Sequence, residues 1–389
     1  MKKIIAFLLA IAMVACLFAG CQSSTKPTEA PTEKPTEAPT DATKGEETKG
    51  EVTEAPTESD VPDIYMITDK GDINDKSFNQ GTWEGIQAWC AANNRQCAYL
   101  KPAEATDAEY INSIEQAIKA GAKVVVTPGF LFEVPIYTVQ EQYPDVKFIL
   151  IDGNPHSADY SDYKTADNTV GITFQEEQVG YLAGYAAVMD GHTKLGFMGG
   201  QAVPAVIRYG YGFVQGANDA AKELGINVEM MYTNTNGFAA TPEAQAMAAS
   251  WYKSGTTIVF GCGGSLGNSV FAAAEAENGL SIGVDVDQSA ESATIVTSAM
   301  KGLAAAVSQM LDNYVGDKFP GGQNLVLGAK DNAVSLAMDT AKFQKFDQAA
   351  YDALYQKLAN GEITIKVDTD ADSADALDTP NCAVTVVKQ

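Results

Sequence analysis

The sequence predicts an α/β protein made of two doubly wound lobes, each with a parallel sheet. Short apolar runs rich in Val and Ile alternate with polar turns and helical stretches from Asp63 onward. The runs are continuous rather than alternating, which suits strands covered on both faces. Eight such runs recur, more than one sheet holds comfortably, so two lobes are the simplest arrangement.

The runs expected as strands are Ile64–Ile67, Lys123–Thr127, Phe148–Ile151, Val170–Phe174, Leu195–Met198, Val228–Tyr232, Ile258–Phe260 and Leu280–Val284. Between them, helical patterns cover Asn79–Ala92, Asp107–Ala120, Glu133–Tyr143, Glu176–Met189, Val206–Leu224, Pro242–Lys253 and Leu266–Glu277. In sheets of this kind ligands sit beyond the carboxyl ends of the strands. The residues there are Thr68-Asp69, Thr127-Pro128-Gly129-Phe130, Asp152-Gly153, Gly199-Gly200, Gly261-Cys262-Gly263-Gly264 and Asp285-Val286-Asp287. Glycines such as Gly129 and Gly263 let backbone approach a ligand closely.

Ahead of the folded part, residues 1–20 read as an export signal. Lys2 and Lys3 precede an apolar run from Ile4 to Phe18, and Ala19-Gly20 stand before Cys21. That arrangement resembles a bacterial lipobox, with Phe18 where Leu is usual, and implies lipidation of Cys21. Residues 21–61 are then the lipidated cysteine and a linker of Pro, Thr, Glu and Lys, with scarcely a side chain able to enter a core. At about 3 Å per residue the linker reaches on the order of 100 Å. The expected location is the extracytoplasmic face of the cell membrane, tethered by lipid.

Composition and motif spacing exclude several functions. A formal charge of −24, with Arg95 and Arg208 as the only arginines, is unsuited to nucleic acid or to forked phosphate recognition. Gly263-Gly264-Ser265-Leu266-Gly267 matches a hydrolase elbow, yet both histidines, His156 and His192, precede it. Gly261, Gly263, Gly267 and Asp285 approximate a dinucleotide fingerprint, but with one residue too many before the last glycine. Asp368, Asp370 and Asp372 open like a calcium loop but lack its glycine and closing glutamate. No enzyme, cofactor or metal is expected. Cys90, Cys97, Cys262 and Cys382 lack zinc spacing, and pairing of Cys90 with Cys97 stays open.

One stretch is specific. Asp69…Asn74-Asp75-Lys76-Ser77-Phe78-Asn79-Gln80…Glu84-Gly85 resembles the basic membrane protein family of substrate-binding lipoproteins, purine-nucleoside-binding components of ABC transporters. Phe174-Gln175-Glu176-Glu177-Gln178, Gly196-Phe197-Met198-Gly199-Gly200 and Gly283-Val284-Asp285-Val286-Asp287-Gln288…Met300-Lys301 extend the likeness over residues 62–340. It implies a type I periplasmic-binding-protein fold, two lobes joined by three crossovers near 168–173, 288–294 and 319–326. The N-terminal lobe would take 62–170 and 290–322, and the C-terminal lobe 171–289 and 323–389.

The resemblance also implies the ligand set. Asp69 and Phe78 match positions that bind and stack the base, and Tyr209 falls where a second stacking aromatic is usual. Asp285 and Lys301 match residues that hold ribose hydroxyls. Asn79 and the strand-end glycines Gly129 and Gly263 are expected in the same site. The chemistry is sound without the family: a nucleoside is a flat neutral ring joined to a diol, suited to aromatic faces and carboxylate acceptors. Each residue also has a packing explanation: Phe78 as a helix staple, Tyr209 as core, Asp69 as a turn former, Asp285 as a strand-end cap, Lys301 as a solvated helix residue. A receptor for a sugar or another small metabolite is the alternative function. The expected partners are a purine nucleoside, an ABC permease and the membrane, with the protein itself a monomer.

Overall fold

The structure is a computed structural model that describes residues 61–388. The export signal, Cys21 and nearly all of the linker lie outside the described residues. Two sheets form from the predicted runs because each run is apolar on both faces and must be covered on both. Strand β1 (Ile64–Ile67) illustrates this, buried at all four positions. It sits in a sheet with β2 (Cys97–Leu100), β3 (Val124–Pro128), β4 (Lys147–Ile151), β5 (Thr169–Phe174) and β11 (Gln323–Leu327). Their order is β11-β5-β4-β3-β1-β2, parallel throughout.

The second sheet joins β6 (Lys194–Gly199), β7 (Val228–Asn234), β8 (Ile258–Cys262), β9 (Leu280–Asp285), β10 (Ile295–Lys301), β12 (Val334–Leu336) and β13 (Cys382–Val386). Its order is β12-β10-β9-β8-β6-β7-β13, and only the β10–β12 pair is antiparallel.

Helices α1 (Phe78–Ala92), α2 (Asp107–Lys119), α3 (Glu133–Val139), α4 (Glu176–Met189), α5 (Pro204–Leu224), α6 (Pro242–Lys253) and α7 (Leu266–Glu277) match the seven expected. Side chains at their starts fix several of them: Thr106 accepts from the Glu109 N–H and Thr241 from the Ala244 N–H. Two further helices, α8 (Leu303–Val315) and α9 (Gln348–Ala359), follow the last element expected from the sequence.

The three crossings fall later in the chain than expected. Strand β5 stays in the first sheet through Phe174, beside β11, and the chain enters the second lobe at Glu176. Strand β10 continues β9 in the second sheet to Lys301, so the return crossing is at Lys301–Leu303, not 288–294. Strand β11 belongs to the first sheet, which puts the last crossing between Leu327 and Val334. The lobe boundaries at 170, 290 and 322 are therefore corrected. Pairing with an existing strand decides membership, and an edge strand such as β11, half exposed, leaves no continuous apolar run to read.

The cysteines Cys90, Cys97, Cys262 and Cys382 are free thiols. Among the described residues, no helix is long and apolar enough to cross a membrane.

Candidate interlobe binding site

The carboxyl ends of the two sheets meet. Ser77, just ahead of α1, donates its hydroxyl to Asp285 at the end of β9. Gln288 Nε2 donates to the Lys76 carbonyl at 2.7 Å, and Lys76 Nζ lies 3.5 Å from Glu291. Lys301 pairs with Asp152 across the same gap. These contacts join turns of the first lobe to turns of the second.

The turn Gly71–Gln80 owes its shape to two carboxylates. Asp75 accepts the N–H groups of Ser77 at 2.9 Å, Asn79 at 3.0 Å and Gln80 at 3.1 Å, satisfying the open start of α1. Asp69 Oδ1 accepts from the Gly71 N–H at 2.7 Å and from Asn79 Nδ2 at 2.9 Å. The Asn79 amide also donates to Asp75 at 2.9 Å. Asn79 is thus spent bracing the two acids, whereas Asp69 Oδ2 takes none of these bonds. Gly129, at φ 120°, lies against that oxygen, and a Cβ there would stand 3.1 Å from it. Burial pushes the Asp69 carboxyl above its ordinary range, partly offset by the bonds from Gly71 and Asn79.

Lys301 is the centre of the arrangement. It is 6% exposed, at the end of β10, with its ammonium paired to Asp152 and 3.0 Å from Glu176 Oε1. Burial alone would lower its pKa, but the charges of Asp152, Glu176 and Asp285 outweigh that and raise it, so the ammonium stays charged. The rings of Phe78, Phe174 and Tyr209 stand 5.1, 5.5 and 5.6 Å from Nζ, within cation–π reach.

The acids are held out of water. Burial pushes Asp152 up to about 6 against the opposing pull of Lys301, and burial raises Asp285 likewise. Asp152 directly follows β4 and Asp285 ends β9, both with φ in the left-handed region, 59° and 66°. That conformation is uncommon for a non-glycine residue and clusters at functional sites. Asp152 Oδ1 is buried without an internal partner, as are Thr68 Oγ1 and Asn154 Oδ1 at the same edge of the sheet.

The structure therefore brings Asp69, Phe78, Gly129, Asp285 and Lys301 to one gap, and it gives Lys301 a strand end rather than a solvated helix. Tyr209 is buried beside the same lysine. It is 2% exposed, its hydroxyl donates to the Ala299 carbonyl at 3.3 Å, and its ring packs edge-on against Phe260. Its ring also stands 5.6 Å from the Lys301 ammonium, so core packing and the edge of the site meet in this residue. Helix α5 starts at Pro204, and Tyr209 falls on its inner face.

On the second lobe, Phe238 is half-buried in the turn after β7, against Gly200 and Gly263 at the strand ends. Gly263 comes so close to it that a Cβ would stand 3.1 Å from the ring and 3.0 Å from Gly200. Sequence reasoning had Asp152 only as a strand-end residue and missed Phe238, Phe174 and Glu176 as site residues. The strand-end rule reaches Phe174 and Glu176 if applied also after β5. A surface cavity of about 340 Å³, lined by Asp287, Met300, Leu336 and Met338, lies beside β12 and contains none of these site residues.

Two lobes that close edge to edge over buried acids, a lysine and aromatic rings define a solute-binding protein. Residues 63–369 match the family model described as ABC transporter substrate-binding protein, PnrA-like, and the chain belongs to this Bmp family, whose members are substrate-binding components rather than enzymes. It is 29% identical over 323 residues to the ABC transporter nucleoside-binding protein BmpA of Lactococcus lactis subsp. cremoris, covering 77% of this chain and 88% of that one. It is also 29% identical to a CD4+ T-cell-stimulating antigen of Listeria monocytogenes, over 78% of this chain and 87% of that one. Among solved structures, a solute-binding protein from Aeropyrum pernix K1 superposes with a TM-score of 0.69 at 23% identity, covering 80% of this chain and 95% of that one. Another, from Conexibacter woesei, gives 0.63 at 25% identity over 78% and 98%.

Proposed function

We propose that the protein captures purine nucleosides and delivers them to an ABC permease while tethered outside the cell through a lipid on Cys21. The observation that supports this most is the charge pattern of the gap. Asp69, Asp152, Glu176 and Asp285 surround it, and the two cations packed among these acids, Lys301 and Arg208, are already paired to carboxylates. An anion such as a nucleotide would meet repulsion there, whereas a neutral molecule rich in N–H and O–H donors would find acceptors.

A nucleoside fits that description, with a flat ring for Phe78 and Phe238 and a diol for Asp285 and Lys301. Asp69, through its unused Oδ2, accepts from the base. Closure of the lobes supplies the grip, so no bond is made or broken. BmpA of Lactococcus lactis, a relative named for nucleoside binding, points the same way.

Isothermal titration with guanosine, adenosine and inosine, after unfolding and refolding to strip prebound ligand, tests the reading. Heat from at least one nucleoside and none from its 5′-monophosphate is expected. Binding of arabinose or another sugar in their place would move the assignment to a sugar receptor. Asp285→Asn should weaken ribonucleosides far more than 2′,3′-dideoxynucleosides, and equal losses for both would remove the diol assignment.

A further inference from the structure

Helix α5 turns one face toward the end of the chain. Arg208, Tyr211 and Gln215 are spaced by three and four residues, hence on one side of the helix. Arg208 Nε donates to Asp368 Oδ1 at 2.9 Å, and the Tyr211 hydroxyl donates to the Ala371 carbonyl at 3.0 Å. Gln215 makes a two-way amide bond with the Lys366 backbone, donating and accepting at 2.9 Å each. Residues 366–371 form neither strand nor helix, yet they are stitched to α5 at three successive points.

The other side of the Arg208 guanidinium grips a lobe crossing. Its Nη1 donates to Glu176 Oε2 at 2.9 Å and to the Phe174 carbonyl at 3.1 Å. Phe174 ends β5 in the first lobe, and Glu176 begins α4 in the second. The second oxygen of Glu176 lies 3.0 Å from Lys301 Nζ, at the next crossing. A chain of alternating charge thus runs Asp368, Arg208, Glu176, Lys301. Burial opposes the charge on Arg208, but Glu176 and Asp368 more than compensate. Asp368 itself is only 18% exposed, so the pair is screened less than a surface ion pair.

We propose that segment 366–371 is a built-in strap in which Asp368 is a positioning residue: it fixes Arg208, which fixes Glu176 and through it the ammonium of Lys301. The proposal rests on the reading of Lys301 as a ligand contact. Without Asp368 the guanidinium gains freedom, Glu176 loses its orientation, and Lys301 keeps only Asp152 as a fixed partner. The closed gap then opens more readily, and bound ligand leaves faster.

The test uses the full chain with Asp368→Ala, the conservative Asp368→Glu, and Asp372→Ala as a control at an exposed acid of the same stretch. Two readouts are taken: association and dissociation rates for guanosine, adenosine and inosine, and amide hydrogen exchange of residues 174–178 and 301–304 without ligand. Asp368→Ala should speed dissociation by roughly 3- to 10-fold with little change in association, and should speed exchange at both crossings. Asp368→Glu should restore both, and Asp372→Ala should change neither.

Wild-type rates in Asp368→Ala, no rescue by glutamate, or an equal effect of Asp372→Ala would each overturn the strap. If the alanine variant does not fold, the isosteric Asp368→Asn serves under the same criteria. Should the wild type bind none of the three nucleosides, the proposed function falls, and hydrogen exchange alone decides the strap.

Discussion

The two lobes meet the gap with different materials. The first lobe offers a dense turn of hydrogen-bonded acids, Asp69 and Asp75 bridged by Asn79, on a helix that stays in reach of the opposite lobe. The second offers flat glycine edges, Gly199-Gly200 and Gly263-Gly264, over a welded helix pair. In that pair, Cβ atoms on Gly180, Gly184, Gly212 and Gly216 would stand 2.1 to 2.2 Å from carbonyl oxygens of the facing helix. On α1 the tightest interlobe contact is milder: a Cβ on Gly81 would stand 2.6 Å from the tip of Val286. Glycine on α4 and α5 thus serves fold integrity, whereas Gly81 on α1 serves closure.

That contrast can be broken at its strongest point. Gly212→Ala drives a methyl group into the Glu177 carbonyl, which cannot retreat without parting α4 from α5. The expected loss is at the top of the ~1–3 kcal/mol overpacking range or beyond, read as a large drop in thermal midpoint. Gly81→Ala meets only a side-chain tip that can rotate, so its midpoint should stay near wild type while ligand affinity falls. If Gly212→Ala melts like the wild type, the two helices are not welded through their glycines.

Ligand affinity should separate the aromatic faces next. Phe78→Ala and Phe238→Ala, one on each lobe, should each weaken nucleoside binding by about 1–3 kcal/mol in titration calorimetry. The outcome that counts against the assignment is full affinity in Phe238→Ala, which would leave the second lobe without a stacking face.

How far all this was legible in the sequence follows the same division. Strands buried on both faces, such as β1 and β8, announce themselves because every residue is apolar. Edge strands β2, β11 and β13 do not, since one face is wet and the run is broken. The first lobe's acids were visible as a motif and as strand-end residues. Phe238 was not, because its place depends on a turn folding back over Gly200 and Gly263, which no periodicity encodes. Glu176 was visible within a motif, but its ion pair with Lys301 joins residues far apart in sequence and exists only once two crossings come together. The crossings themselves came out a few residues early, because strand membership is decided by a partner strand.

A smaller effect concerns charge. Glu177, buried in the first turn of α4, is pushed up to about 7 by burial and the nearby Glu176. Asp152 on the first lobe is pushed up to about 6. A carboxyl whose folded pKa is raised stabilises the fold when protonated, fully so below its unfolded value, and that stability is lost as pH rises through the folded value. Thermal midpoints of the ligand-free protein should therefore fall as pH rises from about 4.5 to 7, counter to the usual acid denaturation. Glu177→Gln should flatten the upper part of that decline, gaining on the order of 1–3 kcal/mol above pH 7. A Glu177→Gln profile that falls as steeply as that of the wild type would show that Glu177 keeps water around it.

The smallest expected effect bears most directly on which lobe supplies what. Tyr209→Phe removes a single hydroxyl whose bond to the Ala299 carbonyl is long, 3.3 Å, so the loss should be about 0.5–1.5 kcal/mol of stability. The ring remains, edge-on to Phe260 and 5.6 Å from the Lys301 ammonium, so support for that lysine is kept. Ligand affinity should then match wild type, because the hydroxyl faces the second sheet and not the gap. A stacking residue would behave differently: changing its hydroxyl alters ring electrostatics against the base and shifts preference among guanosine, adenosine and inosine. Titrating all three nucleosides against Tyr209→Phe separates the two cases, since a core residue moves the melting curve alone and a ligand contact moves the ranking of bases.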